Sequence, residues 1–304
     1  MINLKYIKNQ KFNEIKLVEV LFYTFPLWFI VGNLAVSLNT LLFIVASLFL
    51  IQRKQLKFRF NSSYWFLIAF FLYLFILTII RFLSPEFSEV IQNWIKYDGL
   101  WSQERGTQII PRNYDQFWSL EKNPISKSFL LIRFLILIFV IDTLFFNKIL
   151  NLKKLFLSSL LCTSFVCFDI LLQYITGSDL FGYKRVGTWN MGPFGDEWIA
   201  GGYLKNFSFF SFFYIFETFK NKNFNIPLLI FIIVLHLIAI LLAGNRMPLL
   251  LFLFGCVLII LLIKNLRFVM FLSLLIFLLI SFPLVKNDIH LKSTYTNVLY
   301  EINI

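Results

Sequence analysis

Two interruptions in a mostly apolar chain hold the residues that could do chemistry. Residues 184–204 read Lys-Arg-Val-Gly-Thr-Trp-Asn-Met-Gly-Pro-Phe-Gly-Asp-Glu-Trp-Ile-Ala-Gly-Gly-Tyr-Leu, which puts five glycines, two adjacent bases and two adjacent acids into 21 positions. Gly187, Gly195 and Gly201 let backbone approach a ligand, and Arg185 offers a planar fork of donors suited to phosphate or carboxylate. A diphosphate is the natural anion for such a loop at a membrane surface. Asp196 and Glu197 could orient Arg185, act on a hydroxyl, or pair with Lys184 or Lys205, and the sequence leaves these roles open.

The second interruption is Ala243-Gly244-Asn245-Arg246-Met247-Pro248. An arginine in the middle of lipid costs ~2.5–3.5 kcal/mol on insertion scales, and near the surface it can snorkel to the headgroups. A snorkelling arginine needs neither Gly244-Asn245 before it nor Pro248 after it, so Arg246 reads as a second anion ligand with Gly244 in support. Asp169 lies inside an apolar run with Gln173 one turn later on the same face. Acids in such runs generally face a cavity or a partner, which makes Asp169 a further supporting residue. His236 reads as the maker of an interhelical hydrogen bond, and His290, in the polar tail, could serve as a base. The three cysteines, Cys162, Cys167 and Cys256, lie in apolar runs without metal-ligand spacing. Zinc-protease, nucleophile-elbow and nucleotide-loop motifs are missing from the sequence, and neither metal nor cofactor is expected.

The elements that position these residues are apolar helices. Of 304 residues 59% are hydrophobic and only 14% charged, too apolar for a water-soluble domain. Several runs reach the ~20 residues needed to cross a hydrocarbon core of ~30 Å, and their continuous rather than alternating hydrophobicity argues against a membrane barrel. The reading is an all-α polytopic transmembrane bundle, a single membrane domain over 1–304. Its nine spans lie near 17–31, 34–51, 64–82, 128–146, 155–175, 199–219, 226–243, 247–263 and 268–283. Pro26 breaks the first span, and Gly32-Asn33 turns the chain into the second.

Charge sets the orientation. Numbering the loops alternately, one side collects 15 Lys/Arg against four acids, Glu14, Glu19, Asp142 and Glu217, mostly in short loops beside span ends. The other collects 13 Lys/Arg against 12 acids, spread over longer loops. The positive-inside rule then makes the N-terminus cytoplasmic and the C-terminus exterior. Exterior loops fall at about 83–127 and 176–198, with an exterior tail at 284–304, so Arg185 and Arg246 share one face. The net charge of +12 is accounted for by this topology, with a lipid bilayer as the partner and no nucleic acid.

With those residues in place, the chain resembles the O-antigen ligase and polymerase family. The resemblance rests on Arg185, Gly187, Phe194-Gly195, Glu197, Ile199, Gly201 and Tyr203-Leu204, and on Ala243-Gly244-Asn245-Arg246, in the family's order and on one face. It implies glycosyl transfer, with inversion and without a metal, from an undecaprenyl-diphosphate-linked glycan to a glycan or lipid A-core-like acceptor. The place would be the periplasmic face of a bacterial inner membrane. Arg185 and Arg246 would hold the diphosphate. Family members continue beyond a ninth span into a large loop bearing the histidine base, whereas this chain stops at Ile304, so either a truncated product or a compromised activity is expected. The base stays unassigned among Glu197, Asp196 and His290. Two other classes fit the composition: a glycolipid or polysaccharide transporter or flippase, which would show internal repeats and mid-span charges, and a non-catalytic subunit of an envelope-glycan assembly complex.

Overall fold

The computed structural model describes residues 4–58, 62–83, 124–185, 187, 189–195, 197–219, 225–288 and 291–295, and among these it is all-helical, without strands. The helices are α1 (Leu4–Tyr23), α2 (Phe25–Val31), α3 (Asn33–Lys54), α4 (Ser63–Leu83), α5 (Pro124–Phe146), α6 (Leu152–Thr176), α7 (Ala200–Thr218), α8 (Asn225–Leu242), α9 (Arg246–Leu262) and α10 (Arg267–Asn287). Among the described residues, three stretches are long and apolar enough to cross a membrane: Asn33–Lys54, Leu152–Thr176 and Lys264–Asn287. Shorter apolar helices occupy Tyr64–Ile80, Ile226–Leu242 and Arg246–Leu262. Most of the loop read at about 83–127 lies outside the described residues, and its last four positions already belong to α5.

Local chemistry explains the breaks. Pro26 sits in the first turn of α2, where its missing N–H costs nothing, so the chain restarts there instead of extending α1. Asn151 caps α6 by accepting from the Lys153 N–H at 2.9 Å, and Gly177 ends that helix in a left-handed conformation.

Contacts divide the chain into two units, Met1–Phe43 with Leu150–Ile304, and Ile44–Ile149, where the sequence suggested a single domain. In the smaller unit α4 packs on α5, with the Tyr64 hydroxyl donating to the Asp142 carboxylate and its ring stacked on Phe139. In the larger unit α8 is the central helix, packed against α6, α7, α9 and α10. Its Ile233, Leu237 and Ile240 meet Ile170 of α6, Phe212 of α7, Phe252 of α9 and Met270 of α10 in one buried cluster.

The outside is as apolar as the inside: Leu161, Ile175, Leu250, Leu262 and Leu279 are all exposed. The interior holds the polar groups, among them Thr163, Ser208, Ser211, His236 and Ser273. That inversion suits a hydrocarbon solvent, in which helix association depends on packing and hydrogen bonds rather than on escape from water. His236 joins three helices. Its Nδ1 lies 2.7 Å from the Ile232 carbonyl, which can only accept, so Nδ1 carries the proton and Nε2 accepts from Thr163 Oγ1 at 3.0 Å. Thr163, having spent its hydrogen there, accepts from Ser211 Oγ at 2.9 Å.

Replacing Thr163 by Val would orphan both neighbours. Thr163→Val should therefore destabilise the full chain in detergent by ~1–2 kcal/mol. Thr163→Ser should retain most of that stability. Thermal unfolding checks the order, and an unchanged melting temperature in Thr163→Val would remove the network from the account of how α6, α7 and α8 are held.

Candidate functional site

The site is built where α7 and α9 begin. α8 ends at Leu242, and Gly244 turns the chain with φ +78°, a conformation that suits only glycine without strain. Asn245 takes the extended N-cap conformation of α9, yet its side chain does not cap the helix. Its Nδ2 instead donates to the Trp198 carbonyl at 3.2 Å, across to the start of α7. α7 also begins without a side-chain cap, and neither helix has an acid in its first turn. The N–H groups of both first turns thus keep no intrahelical acceptor, and each helix start carries partial positive charge.

Gly201 lets the two starts meet. A Cβ there would lie 3.2 Å from Asn245 Cβ and 3.3 Å from Pro248 Cβ, tighter than ordinary contact, so a larger residue would require a neighbour to give way. Next to this contact opens a cavity of about 810 Å³. Its polar wall is Arg246 with Asn33, Asn206, Asn245, Ser293 and Thr294, and Phe29, Trp189 and Trp198 supply aromatic surface. One full positive charge, two helix starts and several carboxamide and hydroxyl groups make a site for an anion with a polar substituent.

The loop from Gly177 to Ile199 is hung from buried side chains. Asp169 Oδ1 accepts from the Leu180 N–H at 2.8 Å. Gln173, one turn on, accepts from the Gly192 N–H at 2.9 Å and donates to the Tyr183 carbonyl at 3.1 Å. Asp179 accepts from the N–H groups of Phe181 and Tyr183. Asn190 donates to the Leu242 carbonyl at 2.6 Å, which ties the loop to the end of α8. Asp169 and Gln173 do share a face, and that face holds the loop. Gly187 and Gly195 both have positive φ, and Gly195 lies against the Tyr183 ring.

The two arginines are not in one cavity. Arg246 lines the large one; Arg185 does not. The Arg185 guanidinium stands over the Tyr174 ring, with Nη1 3.9 Å from Asp288 Oδ2, while Nε and Nη2 are buried without a hydrogen-bond partner. Asp288 lines a separate pocket of about 720 Å³ with Tyr174, Pro283 and Asn287.

What links them is a segment that the sequence marked only as a tail. Asp288 Oδ1 accepts from the Leu291 N–H at 3.1 Å and so starts a short helix over 291–295. Leu291 is fully buried, and Ser293 and Thr294 reach the cavity of Arg246. Tyr295 donates to the Leu241 carbonyl at 2.9 Å. Burial raises its phenol pKa, and the positive charge of Arg246 offsets part of that rise. An Asp three residues before an apolar position was the available sequence signal for this helix. Asp196 and His290 lie outside the described residues. Glu197 is exposed and, among the described residues, pairs with neither Lys184 nor Lys205.

The chain matches no family model, no curated protein and no solved structure. What the fold and site define is therefore a class: among the described residues, an all-helical protein with helices long and apolar enough to cross a membrane and an arginine-bearing cavity at the junction of two helix starts.

Loss of the Asp288 cap should cost ~1 kcal/mol locally, which corresponds to about fivefold faster exchange of the amides in 291–295. Hydrogen exchange on Asp288→Ala checks this. Arg185→Ala should move the same amides in the same direction by less, since it removes only the ion pair. Unchanged protection in Asp288→Ala would detach the segment from its proposed cap.

Proposed function

We propose that this protein is a glycosyltransferase of a bacterial inner membrane, crossing it nine times with a cytoplasmic N-terminus and an exterior C-terminus. It moves a glycan from an undecaprenyl-diphosphate carrier to a hydroxyl of a glycan or lipid A-core-like acceptor at the periplasmic face. The observation that carries this reading is the cavity where Arg246 meets the two uncapped starts of α7 and α9. The charge asymmetry of the loops and the resemblance of residues 185–204 and 243–246 to O-antigen ligases and polymerases add to it.

In the reaction the acceptor oxygen attacks the anomeric carbon as the bond from that carbon to the diphosphate oxygen breaks. The electron pair leaves with the diphosphate, and the acceptor proton passes to a base. Negative charge on the departing oxygen grows toward the transition state. Fixed donors aimed at that charge stabilise it more than they stabilise the ground state, and such donors are worth ~2.7–4 kcal/mol each in other enzymes. Arg246 and the first-turn N–H groups of α7 and α9 are the donors assigned here. The base is one of Glu197, Asp196 and His290. Arg185 acts at one remove, through Asp288 and the segment carrying Ser293 and Thr294.

The test is an envelope-glycan profile of a deletion strain complemented with the full chain. Arg246→Ala should reduce glycan product by ~10²–10³-fold while the protein remains in the membrane. Arg246→Lys should recover part of the activity, and Arg185→Ala should lose about tenfold or less, as expected of an ion pair acting indirectly. Normal chain-length distribution and attachment in Arg246→Ala would sink the reading. Unchanged transfer accompanied by altered carrier accumulation on one side of the membrane would favour a flippase instead.

A further inference from the structure

Trp189 and Trp198 stack with ring centroids 4.3 Å apart and planes 28° from parallel, in the wall of the cavity that holds Arg246. Interfacial tryptophans commonly serve only as membrane anchors, and an anchor needs no fixed position relative to a charge. These two are fixed. Asn245, the neighbour of Arg246, holds the Trp198 carbonyl at 3.2 Å. Asn190, the neighbour of Trp189, holds the Leu242 carbonyl at 2.6 Å, just before the same turn. The turn that presents Arg246 therefore also ties down the backbone at Trp198 and beside Trp189, which carry the two stacked indoles. Gly187 approaches the six-membered ring of Trp189, its Cβ position 3.9 Å from Cε3 and Cζ3, and Trp198 is left 57% exposed.

An electron-rich indole face beside carboxamide groups is suited to a pyranose: its polarised C–H edges pack on the ring, and its hydroxyls bond to amides. A bare phosphate has no use for the indole, and a polyprenyl tail has none for Asn206. We propose that Trp198, backed by Trp189 and flanked by Asn206, is a subsite for the sugar joined directly to the carrier diphosphate. This rests on the reading of the Arg246 cavity as a diphosphate site and adds to it a sugar-reading surface. Recognition of that first sugar would set which lipid-linked glycans the protein accepts.

Two probes separate the claims: farnesyl diphosphate, and farnesyl diphosphate carrying a single N-acetylglucosamine. Each is titrated calorimetrically into the full chain in detergent. The sugar should tighten binding about five- to tenfold, the range of an aromatic contact of this kind. In Trp198→Ala the ratio of the two affinities should fall to near one, Trp198→Phe should keep most of it, and Asn206→Ala should reduce it. Arg246→Ala should weaken both ligands together. Variants are compared only where elution from gel filtration matches the original protein, and Trp198→Phe and Asn206→Ala keep the test open if Trp198→Ala misfolds. A ratio near one in the unsubstituted protein, with both ligands still dependent on Arg246, overturns the sugar subsite and leaves the diphosphate site standing. If neither probe binds, both readings fall.

Discussion

The close approach of α7 and α9 at Gly201 is the constraint on which the site depends. Two helix starts, each with roughly half a positive charge, repel one another and repel Arg246 beside them. The Asn245 side chain could have relieved one of them as a cap, but it holds Trp198 instead. Apolar packing keeps the starts together regardless: Phe252 of α9 is buried against the rings of Phe209 and Phe212 from α7. The two helix starts are thus held together by packing, with no acid in either first turn.

A second constraint follows from where the loop 177–199 sits. Backbone N–H and C=O groups that leave a helix beside lipid need partners within the protein. Asp169, Gln173, Asp179 and Asn190 supply them, which accounts for acids and amides buried in an otherwise apolar neighbourhood. Asp169 inside α6 is consequently a support of the loop backbone, at one remove from the cavity. The same ties fix the loop's height over α8 and hand its geometry on to Trp189 and Trp198.

Much of this was legible from residue order. Helix limits at 33, 152, 225 and 267 fall within a few positions of the sequence reading, because basic clusters, Asn151 and Gly177 punctuate long apolar runs. Gly187, Gly195 and Gly244 stand out in sequence and have positive φ in the fold. Lateral position was not legible. Counting loops tells which side of a bundle a residue is on, but not which helices are neighbours, so Arg185 and Arg246 read as partners although only one lines the cavity. Asn33 and Phe29 were missed for the same reason, since they enter from the start of α3 and from α2, far away in sequence. Trp189 and Trp198 had no role in the sequence reading, and only their stacking in the cavity wall sets them apart.

Asp288 and residues 291–295 connect two separate arginines. Arg185 meets Asp288, Asp288 starts the short helix, and that helix presents Ser293 and Thr294 to the Arg246 cavity while Tyr295 fastens to the end of α8. Leu291, buried among the core residues of the larger unit, anchors the middle. A guanidinium with two buried, unpartnered nitrogens on one side and a carboxylate at 3.9 Å on the other is held by position more than by strong bonding. Arg185 is therefore connected to the cavity through Asp288 and residues 291–295.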